Sequence, residues 1–190
     1  MSRGRLEAFS DGVIAVVITI MVLSLQPPEG SSLHELRPLV PKLAVYLLSF
    51  IFVGIYWNNH HHLMQVVDRI NGATLWANAH LLFWLSLTPV AMAWLGPHLG
   101  TSAPVAVYGV VLLGSAVAYS ILVRCLITAH EPGSRLAQAV GRDRKGKLSV
   151  VAYVVAIAVS PVGPWLSTAL YVGVAAVWLV PDRRIERVLT

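Results

Sequence analysis

A stretch from Ile70 to Val123 carries no Asp, Glu, Lys or Arg. Soluble domains contain about 25% charged residues, so they do not leave a stretch of this length uncharged. Of the 190 residues in the chain, 12% are charged and 56% are hydrophobic. About 20 apolar residues in a helix are enough to cross the hydrocarbon of a bilayer. We therefore predict an all-α, polytopic membrane protein that forms a single transmembrane domain over residues 1-190.

Proline and glycine clusters divide the apolar sequence into segments of spanning length. Pro27 and Pro28 end the first segment, because proline cannot continue a helix from within. The segment from Gly96 to Pro104 divides the long uncharged stretch, and Pro161 to Pro164 divides the last one. The last stretch could also form a hairpin that does not cross fully, but two spans are favoured. The six predicted spans are 6-25, 41-64, 73-95, 105-127, 148-163 and 165-180.

The basic residues are distributed unevenly between the two ends of these spans. Only Arg37 and Lys42, of 14 Lys and Arg residues, fall on the side opposite the N-terminus. Cytoplasmic loops carry an excess of Lys and Arg, so both termini are predicted to be cytoplasmic. The net charge of +5 therefore has a topological explanation, and no nucleic-acid partner is expected.

Polar side chains recur at one depth within the predicted membrane region. Asp11 lies about 7 Å inside the hydrocarbon edge, at about 1.5 Å per helical residue. A carboxylate there needs a partner or water, because an unpaired charge in hydrocarbon is costly. The second and third spans bring polar and aromatic residues to the same depth, which predicts a hydrogen-bonded network joining the first three helices. Its candidate members are Ser10, Asp11, Trp57, Asn59, His60, His61, Trp76 and Asn78.

The histidine cluster His60 to His62 leaves alternative functions open. A membrane haem oxidoreductase could use these histidines with His80 or His130. A proton-coupled transporter could use them together with Asp11. Three consecutive helical residues point about 100° apart, so they do not converge on one ion. No metal site or cofactor is expected, and no motif for a nucleophile, general base or nucleotide indicates an enzyme.

The first span has two distinct faces on a helical wheel. With Val16 set at zero and about 100° per residue, one line of residues falls within about 60° of it. Ser10 and Asp11 fall on the far side. The polar pair can therefore anchor the helix to its own bundle while the line faces lipid, a packing partner or something else. The line comprises Arg5, Phe9, Gly12, Val16, Thr19, Ile20 and Leu23.

Several motifs resemble those of the transmembrane protein 175 family of potassium channels. Residues 5 to 15 read RLEAFSDGVIA, which is similar to the RxxxFSDGVxA signature at the start of that family's first helix. The resemblance continues in Tyr56 to His61, Asp68-Arg69, Leu75 to Asn78 and Leu85 to Pro89. It covers roughly residues 3 to 95, and beyond them it depends on the pattern of spans.

The resemblance implies a potassium-permeable, potassium-preferring cation leak channel and no enzymatic activity. In that family the first helices surround a central pore and apolar side chains form its constriction. Carried over to this chain, the constriction residues are Val16, Thr19, Ile20 and Leu23. Arg5, Phe9, Ser10 and Asp11, with the residues of the second and third spans named above, are implied to support or gate the pore.

A single set of six helices resembles the bacterial form of the family, in which four chains complete the pore. The resemblance therefore implies a homotetramer in a bacterial plasma membrane, with potassium as the permeant ion and the lipid bilayer as its surroundings. One first helix cannot enclose a pore alone, so a closed ring of identical subunits is also what geometry requires.

Overall fold

A computed structural model describes residues 2–130 and 143–179, and every regular element within them is helical. The elements are α1 (Arg3–Leu23), a 3-10 helix (Leu33–Leu39), α2 (Val40–Gln65), α3 (Gly72–Ser86), α4 (Thr88–Leu95), a short 3-10 turn (Gly96–His98), α5 (Ser102–Thr128), α6 (Arg144–Val159) and α7 (Pro164–Leu179). Five of the basic residues that support the predicted orientation lie outside the described residues, within 131–142 and 180–190.

Four helical segments are long and apolar enough to cross a membrane, judged by length and composition. They are Arg3–Leu23, Leu33–Gln65, Gly72–His98 and Ser102–Thr128. They correspond to the first four predicted spans. The predicted fifth and sixth spans are α6 and α7, of 16 residues each. At about 1.5 Å per residue, α6 and the described part of α7 are each about 24 Å long, shorter than about 30 Å of hydrocarbon.

Two local features differ from the sequence prediction. The third span is not one helix but two, because Leu87 separates α3 from α4 and Pro89 stands in the first turn of α4. Proline has no N–H to donate, and it fits best in the first turn of a helix. The segment between the first two predicted spans, for which no helix was predicted, contains the 3-10 helix Leu33–Leu39, which has Pro38 inside it.

Helix α5 is central in the bundle, in contact with α3, α4, α6 and α7. Two glycines let neighbouring aromatic rings approach it closely. A Cβ at Gly109 would collide with the hydroxyl of Tyr171, and one at Gly114 with the ring of Trp84. The Tyr171 hydroxyl donates to the carbonyl of Val105 at 3.2 Å. These contacts fix α3 and α7 on opposite parts of α5.

Helix α1 lies at the edge of this bundle and packs on α2, α3 and α4. Its buried residues recur every three or four positions, which is the period of one helical face. They are Leu6, Ser10, Ile14, Val17 and Met21. Within the described residues, Phe9, Val16, Ile20 and Leu23 remain exposed on another side of the helix, so α1 presents one buried face and one open face.

Candidate functional site

The open face of α1 carries all the residues of the line defined by the helical wheel. Phe9, Val16, Ile20 and Leu23 are exposed over 58%, 55%, 48% and 77% of their surfaces. The adjoining members Arg5, Gly12 and Thr19 are also exposed. This face is apolar along most of its length, whereas the opposite face of the same helix packs on α2, α3 and α4. It is a candidate for covering by lipid or by another subunit.

Thr19 is the only hydroxyl residue on this line in the described chain, and its hydroxyl has a fixed orientation. Its Oγ1 donates to the carbonyl oxygen of Val16 at 2.8 Å. Because the proton points back to the helix, the lone pairs of the oxygen face away from it. A cation passing along this face would therefore meet an oxygen acceptor at Thr19 between apolar side chains.

The opposite, buried face of α1 is held by a polar chain across three helices. Asn78 Nδ2 donates to Ser10 Oγ at 2.9 Å, and the hydroxyl of Ser10 donates to the carbonyl oxygen of Leu6 at 2.9 Å. Asn78 Oδ1 lies 2.9 Å from His60 Nε2. All three side chains are at most 1% exposed. Because the Asn78 amide nitrogen faces Ser10, its oxygen accepts from His60, so Nε2 carries the proton of a neutral ring.

His60 Nδ1 remains without a hydrogen-bond partner in the described structure. In this tautomer the atom is an acceptor, and an unpaired acceptor is less costly than an unpaired donor because no N–H is left unsatisfied. The arrangement therefore fixes the direction of every proton along the chain from α2 through α3 to α1. It ties α1 to two neighbouring helices, α2 and α3, by its buried face.

A second set of contacts joins α1 and α2 along their edge. Trp57 Nε1 donates to Asp11 Oδ1 at 3.0 Å, and one helical turn away His61 Nδ1 lies 3.0 Å from Glu7 Oε1. Gln65 completes the edge through its carbonyl oxygen, which accepts from the Arg3 guanidinium at 3.4 Å. Successive contacts are four residues apart on each helix, and the residue numbers fall along α1 as they rise along α2, because the two helices are antiparallel. We call these three contacts the edge ladder. This ladder fixes the register between α1 and α2.

The ladder is reinforced by the aromatic rings of α2. The rings of Trp57 and His61 stack with centroids 6.0 Å apart and planes 15° from parallel. His61 Nε2 also lies 2.9 Å from Gln65 Nε2. The Asp11 carboxylate is thus partnered by an indole N–H rather than by a cation.

Some predicted network residues lie elsewhere. Trp76 is 80% exposed. Asn59 donates to the carbonyl of Ile55 in its own helix at 2.8 Å, and its carbonyl accepts from the Tyr119 hydroxyl at 3.3 Å. Arg5 and Phe9 lie on the open face of α1. The polar residues therefore form two separate sets, a buried chain and an edge ladder, rather than the single network that was predicted.

Glu7, Gln65 and Arg3 were not among the predicted site residues. The signal that indicates them is their spacing, because Glu7 precedes Asp11 by four residues and His61 follows Trp57 by four. Residues four apart lie on one side of a helix. Two antiparallel helices with one such pair in contact bring the next pair together as well.

The histidines of α2 point to different partners. His60 faces Asn78, His61 faces Glu7, and the ring of His62 lies 5.9 Å from that of His61. His80 accepts from Trp84 Nε1 at 2.9 Å within α3. In residues 2–130 and 143–179 no three His, Cys, Asp or Glu side chains are grouped so that they could hold a metal ion.

Comparison with known proteins shows which family the chain belongs to. The model of the endosomal/lysosomal potassium channel TMEM175 family matches residues 5–89. A protein of Chryseobacterium sp. (strain P1-3), named a potassium channel, is 51% identical over 189 residues, which cover 100% of this chain and 98% of that protein. The chain belongs to the TMEM175 family. It is therefore a member of an ion-channel family and not of an enzyme family.

A solved structure supports the same assignment at the level of the fold. The chain is similar to the crystal structure of a lysosomal potassium-selective channel TMEM175 homologue from Chamaesiphon minutus, with a TM-score of 0.79 and 28% identity. The match covers 94% of this chain and 96% of that one. A zebrafish TMEM175, named an endosomal/lysosomal proton channel, is 28% identical over 134 residues, 68% of this chain but 25% of that protein.

Proposed function

We propose that this protein is a potassium-permeable, potassium-preferring leak channel whose pore is lined by α1. The observation that carries the proposal is the open, apolar line on α1, opposite a face fixed to the bundle by Ser10. A helix held rigidly on one side can present the other side to an ion pathway with defined geometry. The potassium-channel names of the bacterial relatives support the choice of ion.

The constriction is formed by Val16, Ile20 and Leu23, with Thr19 as the oxygen ligand between them. An apolar neck controls ion flow by excluding water, and it opens when it becomes wet. Val16 is a smaller residue than Ile20 or Leu23, so the tightest ring is at one of the latter two. Potassium loses its hydration shell more readily than sodium, and the Thr19 oxygens compensate for part of that loss.

The pore requires several copies of the chain, and we propose a homotetramer. The line on α1 adjoins an apolar groove between α1 and α4, lined by Val13, Ile20, Pro89 and Val90 among others. In a membrane protein such a groove is covered by lipid or by another subunit, and we assign it to the neighbouring copy of the chain. In a ring with fourfold symmetry, α1 of each copy faces the axis and its flanks contact the next copy, which closes the interface.

The orientation proposed is that of a plasma-membrane protein with both termini in the cytoplasm. Helix α1 begins, α2 ends, and α5 ends at one end of the bundle, which is the end that carries most of the basic residues. The positive-inside rule places that end in the cytoplasm. The lipid bilayer surrounds the outer apolar faces of the tetramer.

Reconstitution in liposomes with a potassium gradient tests this function. We expect Ile20→Asn and Leu23→Asn to raise potassium flux, because a polar ring favours wetting of the neck. Val22→Asn is the matched control, since Val22 is exposed on the same helix but lies about 100° from Leu23. Absence of flux in the wild type, or identical flux in all three variants, contradicts the proposal.

The same liposomes separate this function from its alternatives. The proton-channel name of the animal relatives makes proton flux the main competitor, and a pH-sensitive dye trapped in the liposomes measures it. Substrate uptake that requires a pH gradient indicates a proton-coupled transporter. A Soret band in the purified protein indicates a haem protein that uses the His60 to His62 region.

A further inference from the structure

The loop between α2 and α3 is held from two sides at the end of the bundle where α1 begins. His130, which follows the end of α5, has its Nε2 3.1 Å from the backbone nitrogen of Asp68 and 3.4 Å from that of Arg69. The Arg3 guanidinium on α1 lies 3.4 Å from the carbonyl oxygens of Gln65 and Val67. The loop therefore links the end of α5 to the start of α1.

The partners of His130 determine its protonation state. Its Nδ1 lies 2.8 Å from the carbonyl oxygen of Leu126, which can only accept a hydrogen bond. Nδ1 therefore carries a proton. The backbone N–H groups of Asp68 and Arg69 can only donate, so Nε2 must be unprotonated. Only the neutral ring makes both sets of contacts.

We propose that His130 is a positioning residue for the ion pathway: in its neutral form it holds the α2–α3 loop, and through Arg3 it holds the start of α1, so that protonation of His130 lowers ion flux. Histidine side chains change charge between about pH 5 and 8. A proton on Nε2 would face two N–H groups and break both hydrogen bonds. This inference depends on the proposed function, because flux through a pore lined by α1 is the quantity that changes.

Other ionisable groups at this end of the bundle must be distinguished from His130. On the described elements they are Arg3, Arg5, Glu7, His61, His62, Asp68, Arg69, Arg124, Cys125, Asp143, Lys145 and Lys147. His61 is the main competitor, since it faces Glu7 at 3.0 Å.

The structure supplies a matched control at the opposite end. His98 makes the same local bond as His130, with Nδ1 2.9 Å from the carbonyl oxygen of Trp94 four residues earlier. No hydrogen bond from another element reaches its Nε2 in the described structure. His98→Gln therefore removes a histidine of the same local geometry without affecting the loop.

Planar-bilayer recording with the pH of each side set separately tests the proposal. On the side of the N-terminus, lowering the pH from 7.5 to 5.5 is expected to reduce wild-type potassium current about fivefold. This is the effect of one net hydrogen bond on an equilibrium, because the two N–H groups share the single acceptor Nε2. His130→Gln keeps a neutral acceptor and is expected to retain the high current at both values. His130→Lys is expected to give the low current at both.

The pH dependence of the potassium current in each variant tests the role of His130. His98→Gln and His61→Gln should keep the wild-type pH dependence. If His61→Gln abolishes it, or if His130→Gln retains it, the proposal is overturned. Arg3→Gln should weaken the pH dependence, because it removes the connection between the loop and α1. A wild-type current that does not depend on pH also overturns the proposal.

Hydrogen exchange separates failure of this inference from failure of the proposed function. The amides of Asp68 and Arg69 should lose protection at pH 5.5 relative to pH 7.5 in the wild type but not in His130→Gln, after correction for intrinsic exchange. If protection changes in this way but no potassium current exists, the loop contact is supported and the channel function fails. If current exists and protection does not change, the role of His130 is overturned.

Discussion

The amide nitrogen of Asn78 lies 2.9 Å from the hydroxyl oxygen of Ser10, deep between α3 and α1. Ser10 belongs to the buried face of α1, while Val16 and Ile20 occupy the exposed face. Because the two faces belong to one helix, this hydrogen bond fixes the direction in which the apolar line points. The contact between Ser10 and Asn78 thus lies on the face of α1 opposite the proposed ion pathway.

Ser10→Ala should destabilise the fold while leaving the pathway residues intact. The substitution leaves the Asn78 amide nitrogen without its acceptor in a fully buried site. Hydrogen bonds between membrane helices contribute on average about 0.6 kcal/mol and at most about 1.7 kcal/mol. We expect a loss in this range, measured as the free energy of unfolding in mixed detergent micelles. Ser86→Ala is the control, because the exposed Ser86 hydroxyl bonds only within its own helix. Equal stability of the wild type and Ser10→Ala would refute the role of this contact.

The contact between Asp11 and Trp57 should show coupling in a double-mutant cycle. Asp11→Ala and Trp57→Phe each remove the 3.0 Å hydrogen bond, so the double variant should lose less stability than the sum of the single ones. The expected coupling is about 0.6 to 1.7 kcal/mol. Asp11→Ala should also lower the stability of the tetramer in detergent, measured by native mass spectrometry. Additive effects together with an unchanged tetramer would contradict this account of the ladder.

Gly114→Ala should disrupt the packing of α3 on α5. The added methyl group would collide with the ring of Trp84, and overpacking of this kind costs about 1 to 3 kcal/mol. Gly173→Ala is the control, because nothing lies within 4 Å of its Cβ position and alanine favours helix more than glycine does. Thermal unfolding in detergent compares the two variants. If Gly114→Ala is as stable as Gly173→Ala, Trp84 does not pack as the structure has it.

Cysteine substitution should distinguish the two faces of α1 in the assembled protein. On a Cys125→Ser background, Leu23→Cys and Ile20→Cys should react with a water-soluble thiol reagent and lose potassium flux. Val17→Cys is the matched control, since Val17 is 3% exposed and faces the bundle. Reaction is measured by mass shift and flux in the same liposomes. Equal reactivity at Val17 and Leu23 would contradict the assignment of the two faces, and absence of reaction at Leu23 would show that the line does not face water.

The sequence was sufficient to predict the helices whose limits are set by strong local signals. The first span ends before Pro27 and Pro28, and the turn at Asn71 and Gly72 starts α3, where Asn71 Oδ1 accepts from Thr74 N at 2.9 Å. The break at Leu87 was missed because a proline in the first turn of a helix resembles one that merely kinks a longer helix. The two possibilities differ only in the backbone of the preceding residues.

The polar contacts of α1 could be predicted only in part, because the sequence indicates depth along a helix more clearly than rotation about its axis. Depth along the helices indicated that Ser10, Asp11, Trp57, His60 and Asn78 lie near one another. Depth alone does not specify rotation, so it could not separate the buried chain from the ladder or place Trp76 on the surface. The contact of His130 with the α2–α3 loop could not be predicted from the sequence, because it depends on how α5 ends and on the path of the chain after α2.

Current recording in asymmetric potassium and sodium solutions tests the central claim most directly. The protein should carry a current whose reversal potential lies toward the potassium equilibrium potential, and Thr19→Val should move that potential toward zero because it removes the proposed oxygen ligand. A current that reverses at zero in the wild type, or one that follows the proton gradient instead, would contradict a potassium-preferring pore lined by α1.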